Sequence, residues 1–293
     1  MAKTAARLVA LGALVLLPAT VGSAGANPPT FACSDIGPKP TPATIVGKNG
    51  NDVIKGTPGR DVIAALGGDD SIDGGGGNDL ICGGDGNDKI TGGAGEDVIS
   101  GDAGDDVIDG GTQPRGGQDF AEYDVSPVAV KASLAAGTVS GWGSDRLRRI
   151  EGISGSRFAD SLTGDRRDNV LIGQRGNDVL NGLADVDVLS GSAGNDVLDG
   201  GDGPDLALYQ QSPKAITADL RKGTATGWGR DRLRSIENVV GSRRADRLLG
   251  GNGPNYMWGL AGADLLDGRG GRDHVFGGAG RDRCFHAEVR LSC

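Results

Sequence analysis

Between Gly47 and Asp109 the chain repeats one nine-residue unit seven times without losing phase. It is clearest in Gly74-Gly75-Gly76-Gly77-Asn78-Asp79-Leu80-Ile81-Cys82, followed at once by Gly83-Gly84-Asp85-Gly86-Asn87-Asp88-Lys89-Ile90-Thr91. Glycine takes the first, second and fourth places, an acid the sixth and an aliphatic residue the eighth. Glycines there let the backbone enter left-handed or strained conformations that a side chain opposes, so they mark turns. The fixed apolar position separates this pattern from a flexible Gly-rich linker, which has no reason to keep one. The last three residues of each unit read as a short strand whose eighth residue points inward while its neighbours face out.

The sixth-position acids of this first run are Asp52, Asp61, Asp70, Asp79, Asp88, Asp97 and Asp106, and Asp119 stands at the start of the interruption that follows. The register resumes at Gly155 with Asp160, Asp178, Asp187, Asp196 and Asp205, Asn169 replacing one acid. After a second interruption it supplies Asp246, Asp264, Asp273 and Asp282, with Asn255 as the exception. Ile54, Ile63, Ile72, Ile81, Ile90, Ile99 and Ile108, then Leu162, Leu171, Leu180, Leu189, Leu198, Leu248, Met257 and Leu266, follow two residues behind as one apolar column.

This unit resembles the hemolysin-type calcium-binding nonapeptide of the repeats-in-toxin (RTX) family. The resemblance implies an all-β fold, a parallel β-roll or β-helix solenoid in which two nonapeptides make one coil. Repeat i then lies beside repeat i+2, with Ca²⁺ between their turns. On that basis each aspartate named above is a candidate metal ligand; the Asp52 turn would share an ion with the Asp70 turn, and Asp61 with Asp79. The chemistry agrees: a hard divalent cation takes six to eight oxygens, and a turn offering several carbonyls and one carboxylate supplies about half of them. Without cations, carboxylates stacked about 5 Å apart repel by roughly 1 to 3 kcal/mol per pair. Folding is therefore expected to depend on calcium.

Glycine makes up 55 of the 293 residues and aromatics only 4%, which excludes an ordinary globular core. Lys3 and Arg7 precede an apolar run from Leu8 to Leu17 that ends near Ala24-Gly25-Ala26. Residues 1–26 thus read as a secretory signal peptide cleaved after Ala26. The expected organisation continues with a lead-in at 27–46 and a first repeat block at 47–118. A hairpin insert at 119–154, a second block at 155–204 and a second hairpin insert at 205–240 follow. A third block at 241–285 and a tail at 286–293 complete it. A secreted, extracellular location without membrane insertion is expected, because the apolar run is too short to span a bilayer. An amino-terminal signal departs from the carboxy-terminal signal of many family members, so their export route does not carry over.

Four cysteines in an exported chain suggest two disulfides with three possible pairings. The nearness of Cys284 to Cys293 favours that pair and leaves Cys33 for Cys82, and resembling actinobacterial proteins carry cysteines in similar places. Residues 47–111 hold fourteen acids and four bases, whereas 241–293 hold six acids and eight bases. The first block should lean hardest on calcium, while Arg243, Arg244, Arg247, Arg272 and Arg281 either offset aspartates or form a solvated face.

The two interruptions are copies offset by 86 residues: Tyr123 matches Tyr209, Trp142 matches Trp228, Asp145 matches Asp231 and Glu151 matches Glu237. Val128–Leu134 with Gly137–Gly141, and Ala215–Leu220 with Gly223–Gly227, read as β-hairpins laid on the solenoid. Trp142 and Trp228, with Arg146, Arg148, Arg149, Arg232 and Arg234, are the candidates for contact with extracellular glycans or cell-surface polymers. A net charge of −9 disfavours nucleic acid. No His-Glu-x-x-His, G-x-S-x-G or G-x-x-x-x-G-K-[ST] motif occurs, and His274 and His286 stand without a nucleophile motif. The expected function is that of a non-enzymatic extracellular calcium-binding protein, structural or adhesive. The alternative is a calcium-dependent carbohydrate-binding or polysaccharide-modifying solenoid that uses the insert face.

Overall fold

A computed structural model describes residues 43–113 and 117–293, which are built of strands and turns with no helix. The proposed signal peptide, most of the lead-in and Cys33 lie outside the described residues. The chain divides into two compact units, one ending at Asp165 and the other running from Arg166 to Cys293.

Both units are parallel β-solenoids, and the register explains why. In the first unit Ile54, Ile72, Ile90 and Ile108 are successive partners in one sheet, and Ile63, Ile81 and Ile99 in another. Partners differ by 18 residues, so two nonapeptides make one coil and the eighth-position side chains stack in two columns. These isoleucines are 0 to 7% exposed and form the core. One sheet runs Ile45–Val46, Val62–Ala64, Leu80–Asp85, Val98–Ala103, Phe120–Glu122 and Gly152–Ser154; the other begins Val53–Lys55, Ser71–Asp73, Lys89–Ala94 and Val107–Thr112. The second unit repeats the scheme. One sheet runs from Val170–Ile172 through Val188–Ser190 and Leu206–Leu208 to Val289–Leu291; the other begins Val179–Ala184 and Val197–Asp202 and ends at Arg283–Phe285.

The two sheets differ on their outer sides. Val53–Lys55 and Ser71–Asp73 alternate exposed, buried, exposed. In Val62–Ala64, Val170–Ile172 and Leu206–Leu208 all three residues are buried. The expectation that the neighbours of the eighth residue face solvent therefore holds for one sheet only. In the other, Val62, Val170, Ile172, Leu206 and Leu208 are themselves apolar, as is usual for parallel strands covered on both faces.

The hairpins are present, but they lie in the sheet and not upon it. Ser144–Arg148 takes the place after Val107–Thr112, pairing Leu147 with Ile108 in parallel. Thr138–Ser140 and Lys131–Ser133 then run antiparallel beside it, and Lys131–Ser133 pairs in parallel with Ser161–Thr163. The second insert repeats this with Arg230–Arg234, Thr224–Thr226 and Thr217–Asp219. Integration follows from the alternation in Ser144–Arg148 and Arg230–Arg234, where Leu147 and Leu233 drop into the isoleucine and leucine columns. A disulfide joins Cys284 to Cys293, with a Cα–Cα distance of 5.8 Å. Cys82 is not free, and the Cys33 end of the other expected bridge lies outside the described residues.

Candidate metal centre

Each sixth-position carboxylate uses its two oxygens differently. Oδ1 accepts the backbone N–H of the sixth residue one coil earlier: Asp61 N–H donates to Asp79, Asp70 to Asp88, Asp79 to Asp97 and Asp88 to Asp106, each at 2.8 Å. The same bond joins Asp178 to Asp196, Asp187 to Asp205, Asp246 to Asp264 and Asp264 to Asp282. Asp52 donates to Asp70 and Asn255 to Asp273 in the same way. Asp97 donates to Asp119 across 22 residues, so the extra loop leaves that carboxylate in the column. The aspartates thus staple coil to coil before any ligand is considered.

Oδ2 is left for something else. In Asp70, Asp79, Asp88, Asp97, Asp106, Asp119, Asp196, Asp205, Asp264, Asp273 and Asp282 it is buried and accepts no hydrogen bond. A buried acceptor without a partner carries a desolvation cost of about 1 to 3 kcal/mol, more when charged. Except at Asp70, whose turn opens with Ala65, these oxygens face the first glycine of the turn, in several turns together with a carbonyl of the coil ahead. A methyl group on Gly83 would strike Asp88 Oδ2 and lie 2.8 Å from the Gly101 carbonyl, and one on Gly259 would strike Asp264 Oδ2 and lie 2.6 Å from the Gly277 carbonyl. At these two glycines a Cβ would close the cradle of oxygens.

The second residue of these turns is always left-handed: Gly75, Gly84, Gly93, Gly111, Gly201 and Gly278 have φ of 94° to 116°. So do residues that resist it, among them Leu66 at 83°, Asp102 at 67°, Leu183 at 82°, Ser192 at 64°, Leu260 at 72° and Arg269 at 65°. A non-glycine residue there costs about 1 to 2 kcal/mol. Strain of that kind collects where function demands a particular backbone.

Electrostatics point the same way. Burial pushes Asp79, Asp88 and Asp264 up to about 6, and Asp106, Asp119, Asp196 and Asp205 up to about 7. Neighbouring acids add to the rise, Asp145 and Asp88 beside Asp106, and Asp97 and Glu151 beside Asp119. Positive charge at these turns would reverse the effect. Buried carboxylate oxygens without donors, backed by backbone carbonyls, are what a hard oxygen-seeking cation such as Ca²⁺ requires. Among the described residues no three His, Cys, Asp or Glu side chains converge, so most oxygens of such a site would come from backbone carbonyls, which Ca²⁺ accepts.

Other turns of the same sequence phase are satisfied internally. Asp61 Oδ2 accepts the Thr57 N–H at 2.6 Å and its hydroxyl at 2.9 Å, and the Thr57 backbone bond holds Asp61 below the usual carboxylate range. Ser156 donates its N–H to Asp160 Oδ2 at 2.5 Å and its hydroxyl to Oδ1 at 2.8 Å; Ser242 treats Asp246 the same way, at 2.5 and 2.7 Å. Lys48 N–H reaches Asp52 Oδ2 at 2.6 Å. Asn255 Oδ1 accepts the Gly251 N–H at 2.7 Å, and its amide donates to the Glu237 carbonyl at 2.6 Å.

Five acids outside the expected set join the columns. Asp106 N–H donates to Asp145 and Asp196 N–H to Asp231, both at 3.1 Å. Asp119, Asp205 and Asp273 donate to Glu151, Glu237 and Glu288. Asp145 Oδ2 and Asp231 Oδ2 each accept a tyrosine hydroxyl, from Tyr123 and Tyr209, at 2.9 Å. The 86-residue duplication pairs Asp145 with Asp231 and Glu151 with Glu237 in the sequence, and that is the signal by which those four could have been found; Glu288 has no such copy.

The remaining candidates do not assemble into a catalytic group. Trp142 and Trp228 are half-buried, and Arg243, Arg244, Arg247, Arg272 and Arg281 are exposed. His274 stacks on Tyr256 with ring centroids 4.6 Å apart, within a ladder that continues to Trp258 and Phe276. His286 Nδ1 lies 2.7 Å from Asp267 Oδ1.

A scan against protein families matches the RTX calcium-binding nonapeptide repeat at residues 46–81, 83–113, 154–189, 173–207, 240–275 and 249–284. Among curated proteins none matches the chain. The family matches coincide with the coils that carry the aspartate columns and cover more than half of the chain. On that extent and that geometry, the chain belongs to the RTX calcium-binding nonapeptide repeat family.

Proposed function

We propose that the protein is an extracellular, non-enzymatic calcium-binding solenoid whose folding is coupled to Ca²⁺ and whose role is structural or adhesive. The observation that carries this reading is the row of buried Oδ2 atoms without donors, set against carbonyls of the coil ahead. Asp70, Asp79, Asp88, Asp97, Asp106, Asp119, Asp196, Asp205, Asp264, Asp273 and Asp282 would hold the ions. Asp178 and Asp187, whose second residues Gln174 and Leu183 are also left-handed, would join them. Bound Ca²⁺ supplies positive charge that offsets carboxylate burial and repulsion.

Export is supported by the apolar run at Leu8–Leu17 behind Lys3 and Arg7, and by the Cys284–Cys293 disulfide, which suits an oxidising compartment. Extracellular calcium modules work at about 10⁻⁴ to 10⁻³ M, so the chain would stay open inside the cell and close outside it. Isothermal titration of chelator-treated protein with CaCl₂, and with MgCl₂ as control, tests the reading. Saturable calcium binding accompanied by compaction supports it; no heat and no compaction up to about 10 mM calcium would refute it.

A further inference from the structure

Building on the calcium reading, we propose that the turns at Asp61, Asp160 and Asp246, and the insert positions Asp145 and Asp231, are metal-free stand-ins in which hydroxyl and N–H donors occupy the place a cation takes elsewhere. The turns at Asp61, Asp160 and Asp246 share a sequence phase and a core column with the bare ones but differ at one backbone position, whereas Asp145 and Asp231 follow Gly141 and Gly227 of positive φ and are capped by a side chain alone. In every turn whose Oδ2 is bare, the second residue is left-handed. Thr57, Ser156 and Ser242 occupy that same second position and are not left-handed, and each instead directs its N–H at the carboxylate four residues on. An N–H aimed at Oδ2 presents its positive end where a cation would approach, so it competes with the ion for that oxygen.

The side chains complete the substitution. Thr57 adds a hydroxyl on the same oxygen, and Ser156 and Ser242 add one on the other oxygen of their carboxylates. At the inserts the donor comes from 22 residues away: Tyr123 and Tyr209 are buried and cap Asp145 and Asp231. Both arrangements recur in the two copies, Ser156 with Ser242 and Tyr123 with Tyr209. Each insert therefore carries a hydrogen-bonded coil at both ends of its three strands, and each interrupts the column of ion sites. In the first unit the column Asp70, Asp88, Asp106 ends at the tyrosine-capped Asp145. The cation columns would thus be divided into segments that fill separately, joined by coils able to hold their form without calcium.

The test compares full-length variants by calcium stoichiometry, from flow dialysis with CaCl₂ and native mass spectrometry. Asp88→Asn and Asp97→Asn should each lose at least one calcium equivalent or weaken binding several-fold. Asp160→Asn and Asp246→Asn should keep the wild-type stoichiometry and lower only the melting temperature. Loss of an equivalent in either capped variant overturns the proposal. Should those variants not fold, Ser242→Ala keeps the carboxylate and removes one cap donor; unchanged stoichiometry is expected, and weakened calcium binding overturns the assignment. A wild-type protein that binds no calcium would instead refute the calcium reading itself, whereas equal losses at Asp88 and Asp246 would refute only the division into two kinds of turn.

Discussion

Replacing Ile90 by alanine probes how tightly the apolar column is coupled to the metal. Ile90 is fully buried and stacks between Ile72 and Ile108 in successive coils. Removing its outer carbons from a packed column leaves a cavity costing about 2 to 5 kcal/mol, and a central value near 3.5 kcal/mol is about 300-fold in the folding equilibrium. If the first unit takes up one ion at each of Asp70, Asp79, Asp88, Asp97, Asp106 and Asp119 in one cooperative step, the free-calcium midpoint must rise by the sixth root of that factor, roughly 2.6-fold. Far-ultraviolet circular dichroism during a calcium titration reads this directly. Val53→Ala is the control, since Val53 is 89% exposed two coils away in the same sheet and its loss should change stability by less than about 0.5 kcal/mol. An Ile90→Ala midpoint equal to the wild type, or a shift matched by Val53→Ala, would refute the idea that core and metal stabilise one cooperative unit.

Acid should act on the metal-free and calcium-loaded forms in opposite senses. Asp106, Asp119, Asp196 and Asp205, at about 7 when folded, lie above an unfolded value near 3.9, so protonation favours the metal-free fold below about pH 4, and that support is lost as pH rises through about 7. Calcium needs the ionised form, so its midpoint should rise about tenfold or more from pH 8 to pH 5; a constant midpoint contradicts this. Gly93→Ala, at φ 116° and with its methyl striking the Gly75 carbonyl, should destabilise the loaded form by at least about 2 kcal/mol, measured by thermal unfolding in saturating calcium. Tyr209→Phe leaves Asp231 Oδ2 buried without its donor, and should cost about 1 to 3 kcal/mol in the same assay with calcium stoichiometry unchanged.

The period of nine and the eighth-position isoleucines made the coil legible in the sequence, because stacking in register requires an apolar residue at a fixed interval. The metal cradle was legible only in part. In the nonapeptide turns outside the inserts, whether an Oδ2 stays bare follows the backbone at the second position, and residue type does not decide it. Ser192 is left-handed at φ 64° over the bare Asp196, whereas Ser156 and Ser242 cap their carboxylates. The tyrosine caps bridge 22 residues, a separation that no local pattern encodes. The inserts were legible as hairpins through their Gly-bounded strands. The stretches from Leu147 and Leu233 read as returning to the coil and do so, but that the two strands before them extend the same sheet instead of lying on it depends on packing that alternation alone left open.

Circular dichroism and small-angle X-ray scattering of one sample show whether buried carboxylate oxygens make this fold conditional on calcium. The sample is moved from chelator at pH 7.5 to about 5 mM calcium. An expanded chain with little β-structure is expected in chelator, and compaction into a β-rich particle as calcium is added. Identical spectra and radii in the two conditions would contradict it.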